Sequence, residues 1–95
     1  MYAVIFNAEI DQLDDEYVTT AIRLRDLAIN EFGCSEFVAS TEGNTEIAIS
    51  YWPSLEHIAA WKQHPTHLQA QALGKSRWYK SYRVQVVEVL REYGT

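Results

Sequence analysis

Four strand-like runs in this chain lack a polar face, and that property narrows the possible folds more than any other. In Tyr2 to Ile10 (YAVIFNAEI), Tyr2, Val4 and Phe6 point one way while Ala3, Ile5 and Asn7 point the other. In Thr45 to Trp52 (TEIAISYW), Ile47, Ile49 and Tyr51 share one face and Ala48, Ser50 and Trp52 the other. Glu36 to Thr41 and Tyr82 to Leu90 complete the set. A sheet with one wet face would alternate more cleanly between apolar and polar. Both faces of this sheet must therefore be covered.

The intervening segments supply only part of that cover. Asp11 to Asp15 is an acidic turn in which Asp11 or Asp14 can cap a helix over residues 14–32, carrying Tyr17, Ala21, Leu24 and Ala28 at helical spacing. Gly33 stops it. Glu42-Gly43-Asn44 turns the middle hairpin. Pro53 ends the third strand, and Ser54 caps a second helix with Leu55, Ile58, Ala59 and Trp61 on its buried stripe. His64-Pro65 breaks that helix, because proline donates no backbone hydrogen bond and restricts the residue before it. A short helix over 66–73 follows, with a further helical turn at 76–80. The order β-α-β-β-α-β predicts one α+β domain over residues 1–95: a ferredoxin-like, four-stranded antiparallel sheet with its helices on one face. The uncovered face calls for an apolar partner, most economically a second copy packed sheet to sheet as a closed homodimer.

At 95 residues, such a chain buries roughly 60–65% of its unfolded surface. The 47% hydrophobic content, with three tryptophans, six tyrosines and three phenylalanines, exceeds a minimal core and leaves aromatic area for a partner or ligand. A net charge of −5 argues against a phosphate-backbone partner, and Lys75, Arg77, Lys80 and Arg83 read as a solvated surface. No apolar run approaches the ~20 residues that cross a bilayer, and Met1 to Ile10 has no basic start or cleavage pattern. The expectation is a soluble, cytoplasmic protein without nucleic-acid or membrane partners. Cys34, the one cysteine, reads as a packed thiol.

All three tryptophans, all three histidines and both prolines fall between Ser50 and Val84. If the chain has a pocket, this stretch lines it. Trp61 is either a core anchor or a pocket wall. Trp78, Tyr79 and Tyr82 suit a pocket mouth or a subunit seam. His67 lies on the broken helix between two tryptophans, where a neutral imidazole can take or give a proton. Asn7 is an amide in an apolar strand and needs a hydrogen-bond partner there. His57 reads as surface, and His64 as a junction residue that caps the following helix. The histidines are not joined by Asp or Glu at ligand spacing, so no metal site is expected.

The order of elements, the opening YAVIF and the spacing of Tyr51, Trp52, Trp61, His67, Trp78, Tyr79 and Tyr82 resemble the antibiotic biosynthesis monooxygenase-like family of dimeric α+β barrel proteins. The resemblance covers nearly the whole chain. It implies a homodimer with a pocket between sheet and helices in each subunit. It also implies oxidation of a small hydrophobic, aromatic or quinol-like compound with dioxygen and no cofactor. On that reading Asn7 and His67 are catalytic, and Trp61, Gln71, Trp78, Tyr79 and Tyr82 bind substrate. Heme-degrading members carry an asparagine matching Asn7 and a tryptophan matching Trp61, but their iron-ligating histidine matches Gln71, whose amide does not replace imidazole. Heme binding or degradation is thus the alternative reading, together with a non-enzymatic dimeric ligand-binding protein.

Overall fold

The computed structural model describes all residues, Met1–Thr95. Its elements are β1 (Tyr2–Ile10), α1 (Asp15–Asn30), β2 (Glu36–Glu42), β3 (Thr45–Trp52), α2 (Leu55–Lys62), α3 (Pro65–Leu73) and β4 (Tyr79–Glu88), with a π-helical turn at Gly74–Trp78 between α3 and β4. The sheet order is β2-β3-β1-β4 and every pairing is antiparallel. This is the expected ferredoxin-like α+β arrangement.

Local chemistry sets the boundaries. Asp14 caps α1 by accepting from the Tyr17 backbone N–H at 2.8 Å. Ser54 caps α2 through the His57 N–H. The Nδ1 of His64 accepts from the Thr66 N–H at 3.1 Å and so starts α3, with Pro65 in its first turn. Gly33, at φ +83°, lets the chain leave α1 and return to β2. Gly43, at φ +59°, occupies the first position of the two-residue β2–β3 loop, where the primed hairpin turns require positive φ.

Several boundaries differ from expectation: β4 ends at Glu88 rather than Leu90, and the helical turn expected at 76–80 lies at Gly74–Trp78. Helix α1 ends at Asn30 rather than near Phe32, and β4 begins at Tyr79 rather than Tyr82. The π-helical turn widens the chain's path after α3 and delivers it to the sheet three residues early. The pairing then puts Ala8 opposite Tyr82 and Glu9 opposite Ser81, but Ile10 opposite Tyr79. Lys80 is the extra residue of a bulge, which returns Tyr79 to the same sheet face as Tyr82.

The core lies where α1 and α2 meet the sheet. Val4, Leu27, Ala28, Cys34, Trp52, Ile58 and Trp61 are buried together there. Trp52 is fully buried, and its indole N–H donates to Ser50 Oγ at 2.8 Å. The Trp61 indole N–H donates to the Leu24 carbonyl at 3.2 Å, which ties α2 to α1. On the opposite sheet face, Val38 and Ile47 are 47% and 40% exposed. No helix is long and apolar enough to cross a membrane.

Candidate functional site

Between the sheet and the helices lies a cavity of about 490 Å³, within the range of small-molecule pockets. Strand alternation decides which side chains reach it. Val4 and Phe6 of β1, Phe37 and Ala39 of β2, Glu46, Ala48 and Ser50 of β3, and Tyr82 and Val84 of β4 form its floor. Tyr17 and Leu24 of α1, with Trp61, His67 and Gln71 of the later helices, form its roof. Trp78 and Tyr79 close one end.

One region of the cavity is built around the buried indole pair. The rings of Trp52 and Trp61 lie 5.0 Å apart, and Phe37 meets Trp61 edge-on at 6.2 Å. The imidazole of His67 packs against Trp61 at 4.4 Å. Its Nδ1 lies 3.2 Å from the side-chain nitrogen of Gln71, one helical turn on. Burial among these rings, reinforced by nearby Lys62, pushes the His67 pKa down to about 4. His67 is therefore a neutral imidazole at physiological pH.

The other region centres on Glu46, which is only 7% exposed. Its Oε1 accepts from the Tyr17 hydroxyl and its Oε2 accepts from the Tyr79 hydroxyl at 2.8 Å. Burial raises the Glu46 pKa, and the Tyr79 hydrogen bond partly opposes that shift. Burial and the adjoining carboxyl likewise hold the Tyr79 hydroxyl protonated far above its ordinary range. From Tyr17 and Tyr79 a connected set of rings extends through Phe6, Trp78 and Tyr82, with centroid separations of 5.3 to 6.3 Å. Asp14, the α1 cap, also accepts from the Trp78 indole N–H at 3.1 Å and holds the π-helical turn against α1.

The structure thus brings His67, Trp61, Gln71, Trp78, Tyr79 and Tyr82 to one cavity. Asn7 is the exception. Its neighbours Phe6 and Ala8 share the helix-facing register, so Asn7 points to the opposite sheet face, beside Glu9, Thr45 and Arg83. Grouping it with His67 in one catalytic site does not survive this alternation. Glu46 joins the cavity without having stood out in the sequence. Its one local signal is a carboxylate in register with Ala48, Ser50 and Trp52. No group of three or more His, Cys, Asp or Glu side chains converges to hold a metal ion.

Comparison with known proteins agrees with this architecture. No family model matches the chain. The uncharacterized protein YqjZ of Bacillus subtilis is 39% identical over 93 residues, spanning 96% of this chain and 81% of YqjZ. The chain belongs to one family with YqjZ and has the antibiotic biosynthesis monooxygenase-like fold. Among solved structures, Rv0793 from Mycobacterium tuberculosis superposes with a TM-score of 0.82 at 16% identity, over 98% of each chain. SnoaB from Streptomyces nogalater, described as a cofactor-independent oxygenase and solved in a mutant form, gives 0.78 at 11% identity over 96% of this chain and 94% of its own. A further structure, described as an antibiotic biosynthesis monooxygenase, gives 0.74 at 13% identity over 96% and 100%. At these identities the likeness is one of fold.

Proposed function

We propose that this protein is a homodimeric monooxygenase that oxidises a small aromatic or quinol-like compound with dioxygen and no cofactor. The observation that carries the reading is an apolar cavity of about 490 Å³ with a neutral imidazole, His67, on its aromatic wall. The shared fold with SnoaB, itself described as a cofactor-independent oxygenase, supports it.

The reaction balances without an external reductant when the substrate carries an acidic methylene flanked by aromatic or carbonyl groups. His67 accepts one C–H proton. The resulting carbanion gives its electrons to dioxygen, a C–O bond forms, and the imidazolium returns the proton to the peroxide. Loss of the second C–H proton then breaks the O–O bond, leaving a ketone and one water. Burial leaves His67 unprotonated and available as an acceptor at neutral pH; it is a weak base there, so the step needs a strongly acidified C–H, and the imidazolium once formed is a strong donor to the peroxide. Trp61 and Tyr82 hold the ring system, and Gln71 keeps the imidazole oriented.

Oxygen uptake over a panel of anthrones and quinols tests the reading. Uptake that falls at least about a hundredfold in His67→Ala, the lower end of the usual range for loss of a general base, is the expected result. Ligand binding with no oxygen uptake across the panel would assign the chain to the non-enzymatic binding class. A sharp Soret band on adding hemin would instead favour the heme reading.

The homodimer follows from the open sheet face, where Ile5, Val38, Ile47, Ile49 and Tyr51 share a register with no helix above them. A second copy packed there would close the two sheets into a barrel. Light scattering after size exclusion checks this, and a monomer at micromolar concentration would end the idea.

A further inference from the structure

Glu46 presents an unusual charge problem. It is a carboxyl at 7% exposure inside a cavity with mainly apolar walls, and no basic side chain pairs with it. Both salt bridges in the molecule belong to Arg77, which pairs with Asp14 and Glu16. The cavity's one lysine, Lys62, adjoins Trp61 and lies near His67. Glu46 is four residues, about 13 Å, along β3 from Ser50, the residue that the Trp52 indole reaches.

The Glu46 surroundings have a second property. Tyr17 and Tyr79 bond the carboxyl, Trp78 packs edge-on against Tyr17, Phe6 and Tyr82 pack against Tyr79, and all five rings line the same cavity. Each carboxyl oxygen accepts one tyrosine hydroxyl, which uses two of roughly four acceptor positions and leaves the others free. Burial raises the Glu46 pKa, and the Tyr79 hydroxyl, by donating to it, opposes that and favours the charged form. Aromatic faces attract cations through their quadrupoles, most strongly where water is excluded. A carboxylate at the base of such a cage completes a receptor for positive charge with N–H donors.

We propose that the Glu46 end of the cavity is a binding subsite for a protonated amine. The ammonium N–H donates to a free Glu46 lone pair, and its alkyl or aryl substituents lie against Tyr17, Trp78, Tyr79 and Tyr82. The ligand supplies the counter-charge that the chain itself does not. This subsite borders the proposed oxygenation site at Tyr82 but does not depend on that chemistry, because it would operate equally in an enzyme or a binding module.

Tryptophan-fluorescence or calorimetric titration at neutral pH tests it with two probes of the same shape. These are the N,N-dimethylbenzylammonium ion and its neutral carbon analogue, isobutylbenzene. The cation is expected to bind about tenfold more tightly, the preference a desolvated cage confers. Glu46→Gln should remove most of that preference while leaving isobutylbenzene affinity nearly unchanged. Tyr82→Leu, which removes a cage wall without touching the Glu46 hydrogen bonds, should also lower the cation-to-neutral ratio, and it carries the test if Glu46→Gln fails to fold. Equal affinity for the two probes, no binding of the cation, or a ratio untouched by either substitution would overturn the proposal.

Discussion

The imidazole of His67 stands at 79° to the indole of Trp61, with 4.4 Å between ring centres. This contact is part of the burial that, with nearby Lys62, keeps the imidazole neutral. A ring held in this packing is poorly hydrated, so its charged form is disfavoured and its pKa falls to about 4 from 6.5.

That shift has a definite sign in stability. His67 binds a proton more weakly folded than unfolded. Well above pH 6.5, at about pH 7.5 and higher, neither state is appreciably protonated there and the residue has almost no pH effect. Between pH 6.5 and 4 the unfolded chain takes up a proton that the folded chain does not, so stability declines as pH falls through this window. Allowing for partial exposure of the ring, the loss is about 2 kcal/mol. Urea denaturation at pH 7.5 and pH 4.5 should show wild type losing that much more than His67→Gln. Parallel losses in the two proteins would contradict the neutral, buried imidazole.

Glu46 and its two tyrosines should behave as one unit. Tyr79→Phe leaves Oε2 of a buried carboxyl without its donor, which costs about 1–3 kcal/mol. Tyr17→Phe does the same at Oε1. Once Glu46 is replaced by Gln, neither hydroxyl faces a buried carboxyl, so each tyrosine substitution should matter less. A double-mutant cycle over Glu46 and Tyr79 is expected to give a coupling of at least about 0.5 kcal/mol. Strict additivity would mean that the hydrogen bond contributes nothing.

How far the sequence announced these features depends on how local their causes are. The bounds of β3 follow from Gly43 and Pro53, which punctuate the chain in any fold. Ser54, His64 and Pro65 likewise set their helix ends through neighbours three or fewer residues away. The start of β4 was hidden because it depends on the π-helical turn and the bulge at Lys80, and neither has a residue signature. Glu46 was hidden for a different reason. Its partners Tyr17 and Tyr79 are 29 and 33 residues away, so a glutamate in a strand reads as solvent-facing until the fold assembles them. Asn7 shows the converse. Its polarity within an apolar run drew attention, but strand alternation puts it on the face away from the cavity.

The buried Trp52 indole depends on Ser50. Its N–H donates to Ser50 Oγ at 2.8 Å in the core. Ser50→Ala leaves that N–H without a partner and should destabilise the fold by about 1–3 kcal/mol, read as a lower urea midpoint at constant slope. In a Trp52→Phe background no donor remains to be orphaned, so the same Ser50→Ala change should be nearly silent. An equal effect in both backgrounds would assign the destabilisation to packing instead.

Gly33 combines two constraints that substitution can separate. Its φ of +83° is disfavoured for a residue with a side chain, and a Cβ built there falls 2.8 Å from His57 Cδ2. Moving His57 aside would break the contact of its Nδ1 with Ser54 Oγ, 2.6 Å away at the start of α2. Gly33→Ala should therefore destabilise by about 1–3 kcal/mol. Adding His57→Ala removes the clash but not the backbone strain, so the double mutant should recover part of the loss. Full recovery would show that the backbone at residue 33 tolerates a side chain. No recovery would show that the close approach to His57 is already relaxed by small shifts between α1 and α2, leaving the left-handed conformation as the whole penalty.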